Sequence, residues 1–302
     1  MLDIKYANQN QSTHLQENNG VYYLTFRKLE QAGVVHGFST RLGGVSKEHL
    51  SSMNLSFHRG DDPVAVMENH RRFADAVGYN EKKLVFSDQV HTTKIHKVTE
   101  EDCGKGILLE SDIIGVDGLV TNVPGIPLIT FYADCVPLFF YDPMRQVVAL
   151  AHSGWRGTVA RMGKVMVDTM AREYGSRPAD ILCAIGPSIC QKCYEISGDV
   201  AEEFRKEFTQ EQYEAMLQKT GAEKYHLDLW KANQFILWEA GITEEHLETT
   251  DICTCCNPEV LFSHRASHGM RGNLGAVIML KEAPDRRKNA VDTEQDRRSK
   301  NE

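Results

Sequence analysis

An α+β domain is what the order of elements along this chain predicts. Short β-prone runs fill the first half, helix-patterned segments gather in the second, and the two mix without the regular alternation of a doubly wound parallel sheet. The 302 residues include 41% hydrophobic and 25% charged side chains, close to the globular average, which sets disordered, collagenous and coiled-coil classes aside. No repeat, low-complexity linker or sustained heptad divides the chain, so one catalytic domain is expected over residues 20–281. The polar segment 1–19 and the densely charged tail 282–302 have little to bury and are expected to fray.

The runs Val21–Phe26 and Val34–Phe38 predict strands. Asp62-Pro63 then predicts a helix with an acidic N-cap and Pro at its first position, ending near Gly78. Further strands are expected at Leu84–Ser87 and Lys94–Val98. Leu128–Tyr132, Val136–Tyr141 and Val147–Ala151 are apolar, β-branched or aromatic, separated by short breaks, and read as a buried meander. Residues 157–174 are helical in pattern, Ile181–Ile185 is a strand, 199–218 and 228–240 are helices, and Leu274–Leu280 closes the domain as a strand.

Lys plus Arg total 34 against 42 Asp plus Glu, a net charge of −8, which disfavours nucleic acid or an anionic membrane as partner because phosphate binding needs basic charge. The most apolar stretch, 125–142, is broken by Asp134, Pro127 and Pro137 and falls short of a membrane span. The N-terminus has neither a basic start nor an apolar run, so no secretory signal is read and a cytoplasmic location is expected. In that setting the eight cysteines are thiols, metal ligands or a nucleophile rather than disulfides.

Asp142-Pro143-Met144-Arg145 has the residues of a type I turn and joins two strand-like runs. If Asp142 pairs with Arg145, the register makes Cys135 and His152 direct cross-strand neighbours, whereas a slip of one would send them to opposite faces. A thiol beside an imidazole serves either as a nucleophilic pair or as two ligands of a metal such as zinc. A buried Cys is often only a small hydrophobe, but burying Asp134, Cys135 and His152 together without a purpose is expensive. A catalytic zinc takes three protein ligands and keeps one position open. His91, in Gln89-Val90-His91, is the leading candidate for the third, while His36, His96, His226 and His264 read as ordinary core or surface histidines.

Residues 154–157 lead into a helix, so free backbone N–H groups and Arg156 could meet at an anion site; a plain helix start with a surface Arg is the alternative. Ser39-Thr40-Arg41, followed by Gly43-Gly44, offers a second anion contact or merely a turn, and Arg265 is similarly ambiguous. The pairs Cys190/Cys193 and Cys253/Cys256 could form a closed zinc site, but Cys253-Thr254-Cys255-Cys256 departs from a clean knuckle and the two clusters are far apart in sequence, so this is disfavoured. Cys103 and Cys183 read as unpaired thiols, Cys183 in the core. Phosphate-binding and dinucleotide glycine motifs are absent, as is the cytidine-deaminase signature, since Ile189 stands where its Pro would precede Cys190.

Taken together, His36-Gly37-Phe38-Ser39-Thr40-Arg41, Gly43-Gly44-Val45-Ser46, Asn54-Leu55, Gly60-Asp61-Asp62, Gln89-Val90-His91, Asp117-Gly118, Ala133-Asp134-Cys135, residues 152–157 (HSGWRG), Ile185-Gly186-Pro187 and Phe262-Ser263-His264-Arg265 carry a resemblance. From about residue 30 to about residue 280 the chain resembles the laccase-domain, or polyphenol oxidase, family of bacterial purine nucleoside phosphorylases. The resemblance implies a three-layer α-β-α sandwich with a mixed central sheet, similar to the cytotoxic necrotizing factor catalytic domain. It also implies a metal site of His91, Cys135 and His152 holding zinc, with copper as the other metal. Implied substrates are adenosine, inosine, guanosine and methylthioadenosine with phosphate, alongside adenosine deamination and, from an older naming, copper-dependent phenol oxidation. One departure is Ser153, where Ala is commoner.

On that reading Cys135 and His152 are catalytic, Arg156 with Ser39, Arg41 and Arg265 would seat phosphate, and Asp134 or Glu195 would supply a proton. Three other functions compete: a metal-free Cys–His hydrolase or deamidase, a copper oxidase, and a protein that binds nucleosides without turning them over. Oligomeric state is not read from the sequence.

Overall fold

The computed structural model describes residues 2–8 and 12–282, so the expectation for the charged tail falls, from residue 283 on, outside the described residues. The α+β class and the mixed strand directions are both present, and the middle of the sandwich is double. One six-stranded sheet runs in the order Thr13–Asn18, Val21–Phe26, Val35–Ser39, Leu274–Met279, Leu128–Tyr132, Val85–Phe86. A second six-stranded sheet runs Leu247–Thr249, Leu182–Ile185, Val136–Asp142, Val147–Ser153, Gly118–Thr121, Ile95–Lys97, and a small third sheet runs Glu195–Ser197, Lys224–Leu227, Leu217–Lys219. Neighbours are antiparallel except at Val85–Phe86, Ile95–Lys97 and Leu247–Thr249, each of which pairs in parallel.

Alternation along the strands explains the layering. In Val136–Asp142, Val136, Leu138 and Phe140 pack with Met162, Met166 and Met170 of the helix Met162–Tyr174 and with the helix Leu229–Glu239. Phe139 and Tyr141 point the other way, into a core shared with Phe26, Phe38, Leu128 and Ala276 of the first sheet. That sheet's outer face carries Val21, Ile129 and Val277 against Phe73 and Ala74 of the helix Pro63–Val77. Helices therefore cover both outsides, and the two sheets face each other across the most aromatic of the cores.

Pro63–Val77 forms as expected: the Asp62 carboxylate accepts from Val64 N, and Gly78 closes the helix in the left-handed region at φ 92°. The stretch expected as one helix from residue 157 is two, Trp155–Val159 and Met162–Tyr174, because Arg161 turns left-handed at φ 62°. Residues 199–218 likewise divide into Gly198–Glu207, ended by the extended backbone of Phe208, and Gln210–Met216, capped by Thr209, after which Leu217–Lys219 is a strand and not helix. Thr13–Asn18, placed by composition in a fraying arm, is an edge strand paired along its length with Val21–Phe26.

Two differences shape the site. The central runs are not a meander: Leu128–Tyr132 belongs to the first sheet and Val136–Asp142 to the second, so residues 133–135 are the crossover between sheets. Asp134 makes that bend at φ 88°. The hairpin loop is also longer than a two-residue turn. Asp142 pairs with Val147, its Oδ1 accepts from Met144 N and Arg145 N, and Gln146 takes the left-handed conformation at φ 51°. Pro137, not Cys135, is therefore the direct partner of His152. A shift of two residues preserves the face, which leaves Cys135 diagonal to His152 on the inter-sheet side.

Candidate metal centre

His152 ends its strand with only 4% of its surface exposed, and its ring packs 5.5 Å from that of Tyr132. Its Nδ1 lies 2.7 Å from Oδ1 of Asp117, which is fully buried. The same carboxylate accepts from the backbone N–H of Val90, His91 and Thr92, three successive donors in one loop. Asp117 thereby holds His91 at φ 64°, a conformation a non-glycine residue rarely keeps unaided.

The three candidate ligands then converge. The ligand atoms of His91, Cys135 and His152 all lie within 4.8 Å of one another, with Cys135 Sγ 3.9 Å from His91 Nε2. Burial would push the Cys135 thiol up, but the adjacent His152 and His91 outweigh it and bring it down to about 6. Burial would lower His152, but Cys135 and Asp117 raise it to about 9. Asp117 feels the same burial, overcome by His152 and by the N–H groups of its loop, and stays below the usual carboxylate range. Two imidazoles and a readily deprotonated thiol with one side open are the donor set of a catalytic zinc or a copper ion. Gly154 completes the cradle, because a Cβ there would come 3.0 Å from both Cys135 Sγ and His91 Cδ2.

The three residues floor a cavity of about 610 Å³. Phe57, Phe86 and Phe131 form an aromatic wall, with Phe86 and Phe131 edge to face at 5.0 Å. Arg59 and Arg271 form a basic one. Arg59 donates to the backbone oxygens of Arg271 and Gly269, whereas Nε of Arg271 is buried without a partner. Burial, with Arg59 nearby, lowers the Arg271 guanidinium to about 10, so it remains charged at neutral pH.

The other sequence candidates do not line this cavity, although Tyr194 is close enough to Cys135, Asp134, Arg156 and Arg265 to feel the charge of each. Ser39 is fully buried and its hydroxyl accepts from Gly275 N. Arg41 stacks on Phe262 and donates to the carbonyls of Ser51 and Pro258. Arg265 donates to the carbonyls of Cys193 and Glu195, and Glu195 pairs with Lys224. Arg156 is exposed and lies over the Trp155 ring on a helix of 5 residues. Both carboxylate oxygens of Asp134 are engaged, one by the Thr254 hydroxyl and the other by Arg265 N. Ser153 joins a buried network with Thr158 and Asn233, a use for the hydroxyl that an Ala would not have.

Sequence reasoning placed Asp117 in a motif without giving it a task, and it did not single out Arg59 or Arg271. Asp117 had a usable signal, an acid at the start of an otherwise apolar strand. Arg271 sits between Met270 and Gly272 just before the last strand, where nothing local separates it from a surface Arg.

A double α+β sandwich with a His-Cys-His group at the crossover between its sheets defines the class. The chain belongs to the family described as multi-copper polyphenol oxidoreductase laccase, whose model matches residues 35–281. It is 37% identical over 251 residues to the purine nucleoside phosphorylase YlmD of Bacillus subtilis, covering 83% of this chain and 90% of that protein. The crystal structure of YlmD from Geobacillus stearothermophilus superposes with a TM-score of 0.83 at 36% identity, covering 88% of this chain and 98% of that one. That of the hypothetical protein YfiH from Bacillus licheniformis also gives 0.83, at 35% identity and with 88% and 99% coverage. Among the described residues no helix is long and apolar enough to cross a membrane.

Proposed function

We propose that this chain is a purine nucleoside phosphorylase that cleaves adenosine, inosine, guanosine and methylthioadenosine with phosphate, and deaminates adenosine in the same cavity. The observation that carries the reading is the meeting of three groups in one cavity: the His91, Cys135, His152 donor set, an aromatic wall and a pair of guanidinium groups. The names of the relatives support the phosphorylase class, and a cavity of this volume suits a nucleoside.

His91, Cys135 and His152 would hold zinc, which supplies Lewis acidity toward phosphate or water when bound. Asp117 fixes the tautomer of His152 by accepting a hydrogen bond from its Nδ1–H, which leaves Nε2 free to ligate. Phe57, Phe86 and Phe131 offer the purine a stacking surface and keep water from the glycosidic bond. Arg271, with its unpartnered Nε–H, binds phosphate and orients one oxygen toward C1′ of the ribose, and Arg59 beside it adds positive charge to that wall. As that oxygen bonds to C1′ the C1′–N9 bond breaks, its electron pair passes to the base, and the base takes up the one proton that hydrogen phosphate gives up. In deamination a water oxygen adds at C6 and ammonia leaves.

The test is adenosine turnover with and without phosphate, using metal-quantified protein beside Cys135→Ala, with adenine, inosine and ribose 1-phosphate separated. Phosphate-dependent adenine release that disappears with the metal and with Cys135 is the expected result. Absence of turnover on every purine nucleoside by metal-loaded protein overturns it.

One observation favours a second reading. Cys135, His152 and Asp117 form the nucleophile, base and orienting acid of a Cys–His hydrolase, with the last pair 2.7 Å apart. Hydrolysis by metal-stripped protein, abolished by alkylation of Cys135, would establish that function instead.

A further inference from the structure

A second cluster of metal-ligating side chains lies outside this cavity. Cys190, Cys193, Cys253 and Cys256 bring their four Sγ atoms within 4.8 Å of one another. Cys256 Sγ is 3.4 Å from that of Cys193 and 3.9 Å from that of Cys190. One sulfur close to two others is the arrangement of a tetrahedron rather than of two disulfide pairs. With metal–sulfur bonds of about 2.3 Å, the edge of a tetrahedral thiolate site is about 3.8 Å.

The backbone is arranged for it as well. Cys253 Sγ accepts from Cys190 N at 3.2 Å and from Cys256 N at 3.4 Å, bonds that stabilise sulfur carrying negative charge. Each pair spans two intervening residues, and Cys255, which made the second pair look irregular in the sequence, is not one of the four. The sequence separation is closed by a parallel bridge between Ser188 and Cys253 and by Thr254 N donating to Ser188 O. Cys190 and Cys253 are buried, at 8% and 1% exposure, in the core beneath the second sheet.

We propose that these four cysteines form a closed site for structural zinc, separate from the centre at His91, Cys135 and His152. Four thiolates with no imidazole or carboxylate suit a soft or borderline divalent ion, and full coordination leaves no position for substrate. The ion ties the loop after Leu182–Ile185 to the loop after Leu247–Thr249. Between those loops sits the crossover: Ile189 N donates to Asp134 O, and the Thr254 hydroxyl donates to the Asp134 carboxylate. The zinc therefore braces the bend immediately before Cys135.

The test is elemental analysis together with zinc-edge X-ray absorption on Cys135→Ala purified under reducing conditions. That variant should retain one zinc equivalent in an all-sulfur shell at about 2.3 Å. Cys193→Ser combined with Cys256→Ser should lose that equivalent and melt at a lower temperature. The absorption spectrum of Cys135→Ala carries the decision, since it does not depend on the folding of the double variant. Metal-free Cys135→Ala, nitrogen or oxygen neighbours around its zinc, an iron tetrathiolate in its place, or disulfides among these four residues would each overturn the proposal. An all-sulfur zinc in a wild type with only one equivalent would uphold it while removing the metal from the proposed catalytic centre.

Discussion

Asp117 and His152 share a buried hydrogen bond, 2.7 Å from the imidazole Nδ1 to the carboxylate Oδ1, and that same oxygen accepts from His91 N at 3.0 Å. One carboxylate thus orients the ring of one candidate ligand and the backbone of another. Asn in its place keeps the shape but replaces an acceptor oxygen with an N–H donor. Asp117→Asn should fold, with metal affinity at this site lowered about 10–100-fold. Competition with a graded series of chelators measures it, and wild-type affinity would show that Asp117 does not position the ligands.

Gly154 makes a sharper steric prediction. A methyl group there meets Cys135 Sγ and the His91 ring at 3.0 Å, tighter than ordinary contact, and the strand ending at Ser153 gives it little room to retreat. Gly154→Ala should lose metal from this centre while the protein remains folded by circular dichroism. Full metal content in the variant would mean that the site is looser than its packing indicates.

The guanidinium groups divide by what they already bond. Arg41, Arg265 and Arg59 donate to backbone carbonyls and Arg271 donates to Gly272 O and Asn273 Oδ1, but of these only Arg271 keeps a buried Nε without a partner. Loss of a charge-assisted bond to phosphate costs about 1.5–3 kcal/mol, so Arg271→Ala should raise the KM for phosphate roughly 10–100-fold. The KM for nucleoside should move far less. Arg265→Ala should instead lower the melting temperature. A phosphate KM that rises with Arg265→Ala but not with Arg271→Ala would reverse the assignment.

Asp134 was read from the sequence as a proton donor, and its bonds suggest a clamp. The Thr254 hydroxyl can donate or accept, so Asn at 134 can turn its oxygen to Arg265 N and its amide to Thr254. Asp134→Asn should therefore keep most of its turnover, while Asp134→Ala strands buried donors and loses about 1–3 kcal/mol of stability. A large fall in kcat for the Asn variant, with metal content unchanged, would restore the acid.

These residues also show how far the sequence could be read. The helix at Pro63–Val77 was legible because its cap, first-turn Pro and closing Gly are local signals. That Cys135 and His152 share a face was legible for a partly mistaken reason: the assumed register was off by two residues, and only the parity of the slip preserved the conclusion. Leu128–Tyr132 and Val136–Asp142 looked like adjacent strands because nothing local distinguishes a crossover between sheets from a turn within one. The four-cysteine cluster was discounted for its sequence separation, which the pairing of loops beside Leu182–Ile185 and Leu247–Thr249 removes. Arg59 and Arg271 meet only through the tertiary fold.

The last prediction concerns acid. His36 and His70 are buried, and burial lowers each to about 4 despite a backbone hydrogen bond that opposes it. His36 uses both ring nitrogens, accepting from Phe26 N and donating to Val34 O, so it must be neutral. His70 donates Nε2–H to Leu55 O, stacks on Phe57 and packs at a tilt against Phe86 of the cavity wall. The unfolded chain protonates both below the ordinary value of 6.5 while the folded chain does not. Their contribution is complete above that value and is lost as the pH falls from there toward about 4, by about 3 kcal/mol for each imidazole. Urea unfolding across this range should show stability rising with pH, with a smaller slope in His70→Gln. An unchanged slope would mean that His70 takes up its proton without disturbing the fold, and the aromatic wall would then survive acid intact.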